Sequence, residues 1–187
     1  FGAMYNDFFF HRNNEFWRRN AERKLPELLG ATGMLACGED LGMVPDCVPG
    51  VMDHWKILSL EMANMDKGRP WPALSVCATS SHDMPSLRMQ HAEAHGGEDL
   101  APVDSERIIK GHLDSVSMFA IFPLQDWLAI DYGVRRKDFL NERINQPADP
   151  DNHWRYRIHL DLRTLMDCHD LNSNIKSLIE GSGRKSS

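Results

Sequence analysis

Four short apolar runs, each followed by polar or amphipathic sequence, constrain this chain more than any other feature. Met34-Leu35-Ala36-Cys37 stops at Gly38 and has the look of a buried strand. Residues 57 to 62, 74 to 78 and 117 to 122 read as three more strands. Residues 5 to 28 set Phe8, Phe9, Phe16, Trp17, Leu25 and Leu28 against a polar face of Arg12, Asn13, Arg18, Arg19 and Glu22, which predicts a helix. A further helix is expected over 46–55, and another from a cap at Asp104 or Ser105 to about Leu113. Three more are expected over 123–130, 153–168 and 173–181. Strand and helix therefore alternate about four times, the pattern of parallel βα units. In a βα barrel the C-terminal strand ends carry the active site. Glu39-Asp40 follows the first run, and His82-Asp83 follows the third.

Composition narrows the function classes. The 187 residues hold 27 acidic and 21 basic side chains, a net charge of -6. Nucleic acid is a poor partner for that balance, because phosphate neutralisation needs clustered Lys and Arg. No apolar run approaches the roughly 18 residues that span a bilayer. No signal peptide is read at Phe1, so a cytoplasmic protein without a membrane partner is expected. Cys37, Cys47, Cys77 and Cys168 form no C-x-x-C pair and are expected to be free, mostly buried thiols. His91 and His95 stand at i, i+4 without the Glu of a zinc-protease helix, so a solvated surface is expected there rather than a metal site.

The acidic pairs carry the chemical interest. Glu39 lies between Gly38 and Gly42, where small residues let backbone and ligand approach closely. Two carboxyl groups at strand ends in one cleft suit glycosyl transfer. One protonates the leaving oxygen while another stabilises or attacks the anomeric carbon. Either residue alone also fits a helix cap or turn. The tryptophans Trp17, Trp55, Trp71, Trp127 and Trp154 suit sugar stacking or core packing.

Longer motifs add a resemblance. Gly38-Glu39-Asp40-Leu41-Gly42-Met43-Val44-Pro45 resembles the G-E-D-L-G-x-V-P segment of the 4-α-glucanotransferases of glycoside hydrolase family 77, the amylomaltases and plant cytosolic disproportionating enzymes. Ser80-Ser81-His82-Asp83-Met84 is similar to a second motif of that family. Pro123-Leu124-Gln125-Asp126-Trp127-Leu128, Glu142-Arg143-Ile144-Asn145-Gln146-Pro147 and Trp154-Arg155-Tyr156-Arg157 extend the likeness from about residue 5 to residue 180.

The resemblance implies an α/β fold, the C-terminal half of a (β/α)8 TIM-type barrel, about strands 5 to 8, with additional C-terminal helices. Residues 1–181 would be a partial catalytic barrel domain and 182–187 a polar tail. Glu39 would be the general acid/base, and Asp83 the carboxylate that stabilises the transition state. His82 would bind the same sugar of a maltooligosaccharide or α-glucan, and Asn145 would contact the substrate. No metal or cofactor is called for. The family's nucleophilic Asp, in an R-x-D segment, has no counterpart here, since Asp7 sits in Tyr5-Asn6-Asp7-Phe8. The expected partner is therefore the missing N-terminal half of the barrel, without which the chain would be inactive. A non-catalytic glucan-binding or scaffold fragment is the alternative, and another βα-barrel carbohydrate enzyme a third reading.

Overall fold

The computed structural model describes residues 1–184 apart from Asp66 and His153. The last three residues of the expected polar tail and the first of the helix expected over 153–168 lie outside the described residues. The chain divides into two compact units. The first holds Phe1–Cys77 and Val116–Phe119; the second holds Ala78–Ser115 and Ala120–Ser187.

In the first unit the helix expected over 5–28 is present but interrupted. Helix α1 (Gly2–Asn6) passes through a π-helical turn (Asp7–Arg12) and a break at Asn13 into α2 (Asn14–Gly30). Arg18 pairs with Glu15 and Glu22, and Arg19 with Glu15, along the solvated side of α2. None of the residues in these three segments is buried. Phe16 and Leu28 are each 64% exposed.

The run Met34–Cys37 is not the buried strand its composition predicts. It contributes one parallel bridge, between Cys37 and Leu58. The Gly38 N–H donates to Leu58 O at 2.8 Å, and the Leu58 N–H to Ala36 O at 2.9 Å. Two bonds hold the run at one end, while Met34 and Leu35 remain exposed. Helix α3 (Val48–Trp55) follows, closed by Lys56 in a left-handed conformation. Strands β1 (Ser59–Met62), β2 (Ser75–Ala78) and β3 (Phe119–Ala120) form a small parallel sheet in the order β1-β2-β3. Strand β3 has two residues rather than the six expected over 117–122. Ile121 is exposed, and Pro123 has no N–H to extend a ladder.

The second unit carries α4 (Leu87–Ala94), α5 (Pro102–Leu113), α6 (Leu124–Leu128), a 3₁₀ turn (Phe139–Glu142), α7 (Leu162–Asp167) and α8 (His169–Gly181). Helix α5 starts from Ala101 with Pro102 in its first turn, not from a cap at Asp104 or Ser105. The helix expected over 153–168 forms only from Leu162. Asp161 caps it by accepting the Thr164 N–H at 2.8 Å. The core joins Ile109 and Leu113 of α5 to Leu128, Ile130 and Leu171, with Ile175 and Leu178 of α8 packed against it. Among the described residues no helix is long and apolar enough to cross a membrane. All four cysteines are free, but only Cys77 is buried, contrary to the expectation for the other three.

Candidate active site

Glu39 and Asp40 follow directly from the Cys37–Leu58 bridge in the first unit. A Cβ at Gly38 would stand 3.0 Å from Met52 Cε, so a side chain there would have to displace the end of that methionine. The chain leaves the segment through Gly42 at φ +72, in the left-handed region that suits glycine. Glu39 is exposed, at the edge of a cavity of roughly 340 Å³ lined also by Trp17, Leu25, Val51, Met52 and Ile57. Asp40 lines the same cavity but is buried. It accepts the Leu60 N–H at 2.9 Å and the Lys67 ammonium at 2.7 Å. Glu61, almost fully buried, accepts Ser59 Oγ at 2.6 Å and Arg69 Nη2 at 2.8 Å. Two carboxylates thus meet two cations in one small cluster, the condition under which buried charge is tolerated. Asp40 ties the Glu39 segment to β1.

In the second unit the structure brings His82, Asp83 and Asn145 together. They are separated by up to 63 positions in the chain yet share one set of contacts. Asn145 is buried and donates Nδ2–H to Asp83 Oδ1 at 2.6 Å. Its own carbonyl accepts Asn152 Nδ2–H at 2.5 Å, which fixes the orientation of the amide. His82 Nε2 lies 3.3 Å from Asp83 Oδ2. The Trp154 ring stands 5.3 Å from the imidazole at 41°. His82 and Asp83 keep 59% and 42% of their side-chain surfaces exposed, so the carboxylate has a neighbour at each oxygen and remains open to solvent.

Two buried carboxylates hold that arrangement in place. Asp126 of α6 accepts Thr79 Oγ1 at 2.5 Å and Ser80 Oγ at 2.8 Å on one oxygen, and the Leu87 N–H at 2.9 Å on the other. It joins the two ends of the loop that carries His82 and Asp83. Burial pushes its carboxyl above the ordinary range, although Thr79, Leu87, Ser80 and His112 pull the other way. Glu142 accepts Ser86 Oγ at 2.8 Å and Arg88 Nη1 at 2.7 Å, three residues before Asn145. Burial raises its carboxyl too, against the pull of Ser86 and Arg88. Arg88 also forks onto Asp99 at 2.8 and 2.7 Å. Burial opposes the charge of Arg88, but its carboxylate partners outweigh that and raise its pKa.

Sequence reasoning quoted the segments around Asp126 and Glu142 without seeing what either side chain does. It passed over Arg88, Asp99 and Asn152 altogether. His91 of α4 and His95, the residue that closes it, stack at 4.1 Å. Among the described residues no three His, Cys, Asp or Glu side chains are grouped to hold a metal ion.

A part-exposed carboxylate, an imidazole and a buried amide thus meet in the second unit. The family model described as 4-alpha-glucanotransferase matches residues 2–163, and the chain belongs to that family. It is 38% identical over 205 residues to 4-alpha-glucanotransferase DPE2 of Oryza sativa subsp. japonica, covering 97% of this chain and 22% of that protein. The 4-alpha-glucanotransferase of Chlamydia pneumoniae is 26% identical over 181 residues, covering 84% of this chain and 34% of its own length. The fold resembles that of an amylomaltase from Streptococcus agalactiae solved in complex with acarbose, with a TM-score of 0.65 at 14% identity. That likeness covers 89% of this chain and 35% of the amylomaltase chain. The chain thus spans about a fifth to a third of the length of these relatives.

Proposed function

We propose that residues 1–187 belong to a 4-α-glucanotransferase that moves α-1,4-glucan segments between maltooligosaccharides or glucans by a retaining double displacement. The observation that carries this reading is the Asp83 carboxylate, met by Asn145 at one oxygen and His82 at the other and still open to solvent. In the reading, Glu39 gives its proton to the leaving glycosidic oxygen while a nucleophilic carboxylate takes the anomeric carbon. Glu39 then removes the proton from the incoming sugar hydroxyl as the glycosyl–enzyme bond breaks. Asp83 offsets the positive charge that develops on the sugar ring, and His82 and Asn145 bind that sugar's hydroxyls.

Residues 1–187 hold two of the three carboxylates this chemistry needs. The reading therefore assigns the nucleophile to a part of the catalytic barrel outside them, and makes residues 1–181 the C-terminal half of a (β/α)8 barrel, about strands 5 to 8. The exposed Met4 and Tyr5 of α1 and Phe16 and Leu28 of α2 support it, since large apolar side chains left in solvent suit a face that packs against further chain. The free cysteines support a cytoplasmic protein.

The test is a disproportionation assay on the complete polypeptide, following glucose release and the glucan ladder from maltotriose. Glu39→Gln is expected to lower turnover by roughly a hundred- to ten-thousandfold while glucan binding persists. Wild-type turnover in that variant removes Glu39 from its role. A product set containing only shorter glucans means hydrolysis and overturns the transferase reading.

A further inference from the structure

Among the described residues, two that are not glycine take a positive φ: Lys56 at 55° and Trp154 at 52°. Lys56 has a cause within the fold. It closes α3, donating its backbone N–H to Asp53 O and Met52 O. Trp154 lies outside every helix and strand. A bulky side chain disfavours the left-handed region, and such outliers concentrate at functional sites. The strain also brings no burial, because Trp154 is 55% exposed while Trp17, Trp55, Trp71 and Trp127 are each partly buried.

The neighbours of Trp154 say what the position achieves. Its ring stands 5.3 Å from the His82 imidazole, and His82 Nε2 lies 3.3 Å from Asp83 Oδ2. On the chain side, Asn152 donates to Asn145, which donates to Asp83. Asn152, half-buried, and Trp154, exposed, therefore each stand one side chain away from the same carboxylate, the first through Asn145 and the second through His82. Sugar recognition asks for this pairing. Polar groups take the hydroxyls, and an aromatic plane takes the apolar C–H face of the ring.

We infer that Trp154 is a stacking platform for a glucosyl ring bound beside Asp83, with His82 as the adjoining wall, and that it sets affinity for the glucan rather than the chemical step. The inference rests on the reading of Asp83 given above. It differs from that reading in naming a residue whose loss weakens binding and leaves bond-making intact.

Steady-state kinetics of the complete polypeptide with maltotriose separate the two. Trp154→Ala is expected to raise KM about tenfold with kcat changed less than about threefold, the size of one lost aromatic contact. Trp154→Phe, which keeps an aromatic face, is expected to recover most of the lost affinity. An unchanged KM in Trp154→Ala overturns the inference. So does a fall in kcat and melting temperature with KM constant, which is the mark of a packing role. Asp83→Asn runs alongside as the control on the parent reading. If it turns over like wild type, the reading of the site fails. If it is inactive while Trp154→Ala keeps its KM, the stacking platform alone fails.

Discussion

Asp126 shows how much one side chain can organise without touching a substrate. Removing its carboxyl leaves the Thr79 and Ser80 hydroxyls and the Leu87 N–H without their acceptor. Asp126→Ala is therefore expected to destabilise the fold by about 3 kcal/mol or more in urea unfolding. Asp126→Asn should cost less, since its remaining carbonyl oxygen still accepts. Equal loss in both variants would mean that charge, not acceptor count, holds the loop. Backbone strain at Trp154 gives a second expectation. Trp154→Gly should be more stable than Trp154→Ala by about 1 kcal/mol, because a Cβ is disfavoured at positive φ. Neither the lock at Asp126 nor the strain at Trp154 was legible in the sequence, which offered Trp154 only as one of five tryptophans suited to stacking or packing. An Asp in Gln125-Asp126-Trp127 looks like a helix residue, and its partners lie 39 to 47 positions away. His82, Asp83 and Asn145 were legible only because longer motifs surround them.

At the scale of elements, α4 is the instructive case. Periodicity did not announce it. Its buried residues are Leu87, Arg88, Met89 and Ala92, so an arginine interrupts the apolar stripe. That arginine joins α4 to the 3₁₀ turn through Glu142, and to the loop before α5 through Asp99. Arg88→Met is expected to cost about 3–5 kcal/mol, because it strands a buried carboxylate. Arg88→Lys should recover only part of that, since a point charge cannot form the two-pronged contact with Asp99. Chemical denaturation of both variants checks the ranking. The opposite failure occurred at 34–37 and 153–168, where local pattern outran tertiary support. An apolar tetrapeptide with one bridge is not a strand, and the second segment becomes helical only beyond the cap at Asp161.

At the scale of the whole chain, the mixture of helices with a few parallel strands was readable because it depends on local apolar patterning. The regular alternation was not, since β1 and β2 are consecutive elements and 34–37 gives only a bridge. Nor were the paired carboxylates and cations that stabilise the folded chain. They do, however, give the protein a characteristic response to acid. Burial holds His112 below its ordinary value near 6.5, outweighing its bond to Ile108 O. The unfolded chain then binds that proton more readily, so this contribution is complete above about pH 6.5 and is lost as pH falls. Asp99 is also disfavoured by burial, but Arg88 and Arg135 hold it below its ordinary range, so its contribution disappears at still lower pH. Asp126 and Glu142, raised by burial, act in reverse: their contribution is present below about pH 4 and fades as pH rises through their folded values. Melting temperature is thus expected to fall between pH 7.5 and 5.5 by about what one buried imidazole supplies. His112→Asn, which can still donate to Ile108 O, should flatten that slope. An unchanged slope would place the titrating group elsewhere.

The way Asp126 closes the loop between Ser80 and Leu87 bears on how relatives of this protein can be recombined. A loop transplanted as residues 80–86 alone would arrive without the lock that gives it its shape. The portable cassette is the loop together with Gln125-Asp126, two pieces far apart in the gene that have to be inherited or engineered as one.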